Sequence, residues 1–135
     1  MVKDTRVHVH MRIDFAGGAS VGPGKIALLE RIVVAGSLSQ AARDLGLSYR
    51  RGWLLLNDLN QSFGEPVVVT ATGGAHGGGA QLTPLGHQLI ERYRKAELAA
   101  QKAVGREFRK IAAAGPGTAG GSLRRPLSRP LKATP

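Results

Sequence analysis

The stretch GSLSQAARDLGLSYRRGWLLLNDLN, Gly36 to Asn60, constrains the fold more than any other part of the chain. Ser37 followed by Gln40 forms a capping box and opens a short helix from Leu38 to about Leu45. Within it Ala41 and Ala42 stand side by side and are small enough for a second helix to approach closely. Gly46 permits a sharp turn. Ser48 is a fresh N-cap, and a further helix runs from Tyr49 to about Ser62. Leu45, Leu47, Leu55 and Leu59 supply a shared apolar interior. Two short helices, a small pair, a glycine and leucines at this spacing predict a helix-turn-helix. A plain structural helical hairpin is the other reading of the same pattern.

Flanking segments extend the unit. Lys25 to Ala35 reads as a helix, with Ile26, Leu29, Ile32 and Val33 at three- and four-residue spacing and Gly36 at its end. Arg6 to Phe15 alternates, with Val7, Val9, Met11, Ile13 and Phe15 on one side, so it reads as a half-buried strand. After Gly64, the run EPVVVTA (Glu65 to Ala71) is β-branched and strand-like. A glycine-rich loop follows, and then AQL as a brief return strand. Thr83 caps a long helix with Pro84 at its first position, reaching to about Ala113. Leu85, Leu89, Tyr93, Ala96, Ala100 and Ala103 form its apolar stripe. A helix of about 30 residues exceeds what so small a domain covers, so its far end is expected to pack on another copy.

The loop TGGAHGGGAQLT admits three readings. A phosphate-binding nucleotide loop needs Gly-Lys-Ser/Thr opening a helix, and no lysine follows these glycines. A slack linker is disfavoured by strand-like residues on both sides. The remaining reading is the tip of a hairpin lying against a nucleic-acid backbone, where glycine lets N–H groups approach phosphate closely. Helix-turn-helix followed by strand, loop and strand predicts an α+β, mainly α fold: a winged helix-turn-helix with an N-terminal strand and a long C-terminal dimerisation helix. It is expected over residues 1–113, the dimerisation helix at about 84–113. Residues 114–135 change in composition, lack acids and carry Arg124, Arg125, Arg129 and Lys132. They read as a disordered basic tail.

Charge agrees with this architecture. The 135 residues carry 19 Lys and Arg against 9 Asp and Glu, a net charge of +10, which favours polyanionic partners. Zero cysteines exclude disulfides, thiol nucleophiles and cysteine-based zinc sites. Neither a secretory leader nor an apolar run of spanning length is evident, so a cytoplasmic, nucleoid-associated protein with no membrane contact is expected. No Ser-His-Asp arrangement or convergent carboxylates point to an enzyme, and no cofactor is expected. His8 and His10 share the polar side of the first strand, which reads as a solvated face and not as a metal site.

The candidate contacts are with double-stranded DNA. Ser48, Tyr49, Arg50 and Arg51 open the third helix and would meet base edges in the major groove. Ser39 and Gln40 begin the preceding helix and would meet phosphate. Thr72, Gly73, Gly74, His76 and Gly77 form the wing. Trp53 reads first as part-buried packing and second as a stacking group. Asn57 and Asn60 are expected to face solvent or the neighbouring helix, and Tyr93 to pack. A sequence-specific regulator binding as a homodimer is the primary expectation. The alternative is a nonspecific architectural DNA-binding protein, and a weaker one is an adaptor that uses the scaffold for protein contact.

Four stretches carry a family resemblance: GPGKIALLERI (Gly22–Ile32), GSLSQAARDLGLSYRRGW (Gly36–Trp53), LNDLNQ (Leu56–Gln61) and ATGGAHGGGAQLTPLG (Ala71–Gly86). Over about Arg12 to Tyr93 the chain resembles the N-terminal DNA-binding domain of ModE-type, molybdate-responsive transcription regulators, and more distantly the LysR-type helix-turn-helix. The resemblance implies a dimeric winged helix in which the first strand and last helix assist the dimer. His76 departs from the family's usual Lys or Gly. Such regulators carry further domains that bind the oxyanion. The 135 residues are expected to stand alone without them, so molybdate binding is not carried over to this chain.

Overall fold

A computed structural model of the protein describes residues 7–71 and 78–114. Among these residues the fold is α+β and mainly helical. In chain order the elements are β1 (Ile13–Asp14), β2 (Ser20–Val21), α1 (Pro23–Ala35), α2 (Leu38–Asp44), α3 (Tyr49–Ser62), β3 (Val68–Thr70), β4 (Ala80–Leu82), α4 (Pro84–Glu107) and α5 (Arg109–Ala114). Residues 10–99 form one unit, and residues 7–9 with 100–114 belong to a second.

In the first unit α1 begins at Pro23, two residues before the expected Lys25, because proline tolerates the first helical position. It ends at Gly36, whose φ of +76° suits a residue without Cβ and whose N–H donates to the Ile32 carbonyl at 2.8 Å. Ile26, Leu28, Leu29 and Ile32 are buried, whereas Val33 is exposed. The expected stripe is thus turned toward Leu28, since α1 packs against α2, α3 and β4 on several sides. With Val21, Leu38, Ala41, Leu56, Leu59, Val67, Val68 and Tyr93 these residues make the core. Its content is aliphatic, as a chain with 4% aromatics requires.

The expected N-terminal strand is corrected in extent. Exposure alternates from Val7 to Asp14 as the sequence pattern demands, yet only Ile13 and Asp14 pair, antiparallel to Val21 and Ser20. The chain turns at Phe15, whose N–H donates to the Ala19 carbonyl at 2.8 Å. Phe15 therefore leaves the apolar face, becomes exposed, and meets Phe63 edge-on at 5.5 Å. The return strand β2 falls in a stretch that reads as a Gly/Pro break.

The α4 segment in this unit buries Tyr93, whose hydroxyl donates to the Met11 carbonyl at 2.7 Å. Burial raises its pKa. Arg94 clasps Glu30 of α1 through two bonds, 2.8 and 2.7 Å, and Glu97 at 2.6 Å. The Arg94 hydrogen bonds hold the Glu30 carboxyl below its usual range. Ala96 and Ala103, expected on the apolar stripe, are exposed. The single long helix also divides: Phe108 interrupts it between α4 and α5. In the second unit Val9 N–H donates to Gln101 Oε1 at 3.0 Å, and Gln101 Nε2 donates to the Val7 carbonyl.

Candidate nucleic-acid interface

The corner between α2 and α3 is built for close approach. Ala42 is 1% exposed, and a Cβ placed on Gly52 would lie 3.1 Å from the Ala42 methyl. The helices therefore touch through one methyl and one bare backbone. The turn closes with Leu47 N–H on the Ala42 carbonyl at 2.9 Å and Gly46 N–H on the Arg43 carbonyl at 3.0 Å. This pair of bonds is a Schellman motif, and Gly46 supplies the left-handed residue it needs at φ +73°. Both predicted serine caps form: Ser37 Oγ accepts from Gln40 N–H at 3.1 Å and Ser48 Oγ from Arg51 N–H at 3.0 Å. The reciprocal half of the capping box is not made. The Gln40 amide instead donates to Asp44 at 2.7 Å and accepts from Arg43 at 3.0 Å. Leu45, expected in the shared interior, is exposed, and Leu47 and Leu55 are half-buried, because the turn carries Leu45 round to the solvent side.

The β3–β4 hairpin pairs Val68 with Leu82, Val69 with Gln81 and Thr70 with Ala80. Three anchors fix it beside the helices. Asn60 of α3 accepts from Val67 N–H at 2.8 Å and Val68 N–H at 3.0 Å through one oxygen, and its amide donates to the Val68 carbonyl at 3.1 Å. Ala80 N–H donates to the Gly36 carbonyl at 2.9 Å, tying β4 to the α1–α2 corner. Thr83 hydroxyl donates to the Pro66 carbonyl at 2.9 Å and accepts from Gly86 N–H at 3.1 Å, so one side chain clips the strand and caps α4. Gly86 is required there, since any Cβ would collide with the Val67 carbonyl.

Between α2, α3 and the hairpin lies a cleft of about 680 Å³. Ser39, Gln40, Arg43, Tyr49, Trp53, Asn57, Thr70 and Gly79 are among its lining residues. Of the predicted contacts, Ser39, Gln40, Ser48, Tyr49, Arg50 and Arg51 are all exposed on this corner. The structure places Ser39, Gln40 and Tyr49 in the cleft wall. Ser48 spends its oxygen on the cap. Trp53 is 47% exposed, beside Tyr49 at 58%, so neither ring is core. The wing residues Thr72, Gly73, Gly74, His76 and Gly77 lie outside the described residues. No group of three or more His, Asp or Glu side chains gathers as a metal site among the described residues.

Two residues that position this surface, Asn60 and Gly86, escape a reading of the sequence by pattern, whereas Gly52 does not. A glycine inside a helical run signals close packing, and Gly52 carried that signal. Gly86, two residues after a first-turn proline, resembles an ordinary helix glycine. Asn60 offers no sequence signal distinct from Asn57, three residues earlier. Only the placement of β3 separates them.

No protein-family model matches the chain. Curated relatives do. The chain is 37% identical over 102 residues to the molybdenum transport protein ModE of Azotobacter vinelandii, covering 76% of this chain and 38% of that protein. It is 45% identical over 85 residues to the molybdenum-pterin-binding protein MopB of Rhodobacter capsulatus, covering 63% and 32%. It is 46% identical over 71 residues to the DNA-binding transcriptional dual regulator ModE of Escherichia coli K12, covering 53% and 27%. The chain thus spans about a third of the length of the curated relatives it matches, and this likeness supports the ModE family as its kin.

Proposed function

We propose that this chain is a sequence-specific DNA-binding transcription regulator that acts as a homodimer. In this reading α2 and α3 are a helix-turn-helix, α3 is the recognition helix in the major groove, and the β3–β4 hairpin with its glycine-rich loop is a wing on the sugar–phosphate backbone. The observation that carries it is the geometry of the cleft: an exposed helix face bearing Tyr49, Arg50 and Trp53 beside a hairpin anchored at three points. Ser39 and Gln40 flank that face and meet phosphate through their side chains. Thr72, Gly73, Gly74, His76 and Gly77 supply the wing tip. The net charge of +10 provides the attraction, and the name of the Escherichia coli relative states DNA binding for that protein.

The homodimer is supported by apolar surface that a lone chain leaves exposed: Val33 and Val34 on α1, Leu98 on α4, and Phe108 and Ile111 near its end. A DNA partner places the protein in the cytoplasm at the nucleoid; no helix among the described residues is long and apolar enough to cross a membrane. Molybdenum, named for two relatives, is not assigned to this chain, because the match spans 38% and 32% of those proteins.

Selection from a randomised duplex pool near physiological salt tests the reading. A two-fold symmetric motif is expected, with half-sites about 34 Å apart. Bound DNA without an enriched motif would replace the regulator with an architectural protein. No bound DNA would mean either a protein-contacting adaptor or a regulator that requires an effector to bind.

A further inference from the structure

We propose that Arg50 and Asn57 are the base-reading pair of α3, and that Arg51 stands off the bases and meets the backbone. The proposal rests on α3 being a recognition helix. The argument is one of helical phase. The buried positions of α3 are Gly52, Leu56 and Leu59. Residues two places earlier in the chain lie about 200° round a helix of 3.6 residues per turn, almost diametrically opposite. Those residues are Arg50, Leu54 and Asn57, and Gln61 continues the row one turn on. Arg50, Leu54 and Gln61 are exposed on this crest, and Asn57, on its edge toward the hairpin, is half-buried and lines the cleft; the crest enters a groove first. Arg51 lies about 100° from Arg50, on the flank that Asp58 occupies seven residues later. Asp58 is bonded by Lys25 of α1, so this flank is turned to α1 and away from the hairpin.

Commitments of the other polar side chains narrow the choice. Asn60 is consumed by the β3 backbone. Asn57 lines the cleft and accepts from Gln61 Nε2 at 3.4 Å, which leaves its amide hydrogens and one oxygen lone pair for a ligand. That donor–acceptor pair matches adenine N7 and N6, as the Arg50 guanidinium matches guanine O6 and N7. Leu54, 40% exposed between them, suits a thymine methyl. Seven residues of helix separate Arg50 from Asn57 by about 10.5 Å along the axis, so their bases are expected about three base pairs apart.

The test repeats the duplex selection with the 135-residue chain and its Arg50→Ala, Arg51→Ala, Asn57→Ala and Asn57→Asp variants. Asn57→Ala is expected to erase an adenine preference at one position of each half-site, a loss of discrimination of about 5- to 150-fold there. Asn57→Asp, which keeps the side-chain size but removes the donor, is expected to shift that position toward cytosine, whose N4 it accepts from. Arg50→Ala erases a guanine preference within three base pairs. Arg51→Ala leaves the motif intact, weakens all sequences evenly and lowers the salt slope by about 1. An unchanged motif in both folded Asn57 variants, or a changed base preference in Arg51→Ala, overturns the assignment while leaving the recognition helix standing. Absence of any motif with the unaltered chain overturns the recognition helix and this pair together.

Discussion

Asn60 satisfies the Val67 and Val68 N–H groups at the start of β3 with a single oxygen and the Val68 carbonyl with its amide, and among the described residues no other side chain does as much to set α3 against the hairpin. Val67 and Val68 are both buried, so their N–H groups have no water to replace the lost acceptor. Asn60→Ala is expected to lower the unfolding free energy by about 2–6 kcal/mol, at roughly 1–3 for each of the two N–H groups left unpaired. Asn60→Asp keeps the acceptor and loses only the donor, so its loss is expected to be smaller. Urea unfolding of both variants checks the order. Equal losses would show that the amide donor, and not the shared oxygen, carries the joint.

At the scale of elements, the α2–α3 corner and the hairpin are separate constructions that meet at one cleft. The corner depends on Ala42 and Gly52 remaining small. Ala42→Leu is expected to overpack it and cost about 1–3 kcal/mol, read as a drop in melting temperature. DNA affinity is expected to fall further than stability alone predicts, because α3, with the hairpin bonded to its Asn60, would tilt relative to the α1–α2 corner, where Gly36 holds the same hairpin. An unaltered melting temperature would count against the close-packed corner. The capped boundaries of α2 and α3 were legible in the sequence, since Ser37, Gly46 and Ser48 act on their own neighbours. The breadth of the first strand was not legible. Alternation marks which side faces the core, and it says nothing of whether a partner strand is in reach; only Ile13 and Asp14 have one. The break at Phe108 was likewise hidden within a run of good helix formers.

At the scale of the whole molecule, the chain carries a net charge of +10 and exposes apolar side chains on α1, α4 and α5, the surfaces on which the proposed DNA contact and the proposed dimer rest. The proposed homodimer is expected to sediment at twice the 14.2 kDa of one chain at micromolar concentration. Leu98→Glu, at an exposed position, is expected to leave the fold intact and shift the protein toward monomer, reducing affinity for a two-fold site more than for a half-site. Sedimentation equilibrium and titration with both duplexes measure this. A monomer from the unaltered chain would remove the dimer from the proposal while leaving DNA binding open.

The sequence by itself determined the helices of the corner, their caps, the turn at Gly46, the existence of the hairpin and the basic character of the chain. Each is set by interactions within a few residues, or by composition, and so is written in local order. The tertiary structure alone decided which of two similar asparagines in the cleft wall holds the hairpin and which, among the described residues, makes no bond to it. It also decided that Leu45 and Phe15 lie outside the core, and that Gly86 sits under the Val67 carbonyl, 19 residues earlier in the chain and just before β3. These depend on which distant segments come together, and a side chain's partner is chosen by that meeting and not by its neighbours in sequence.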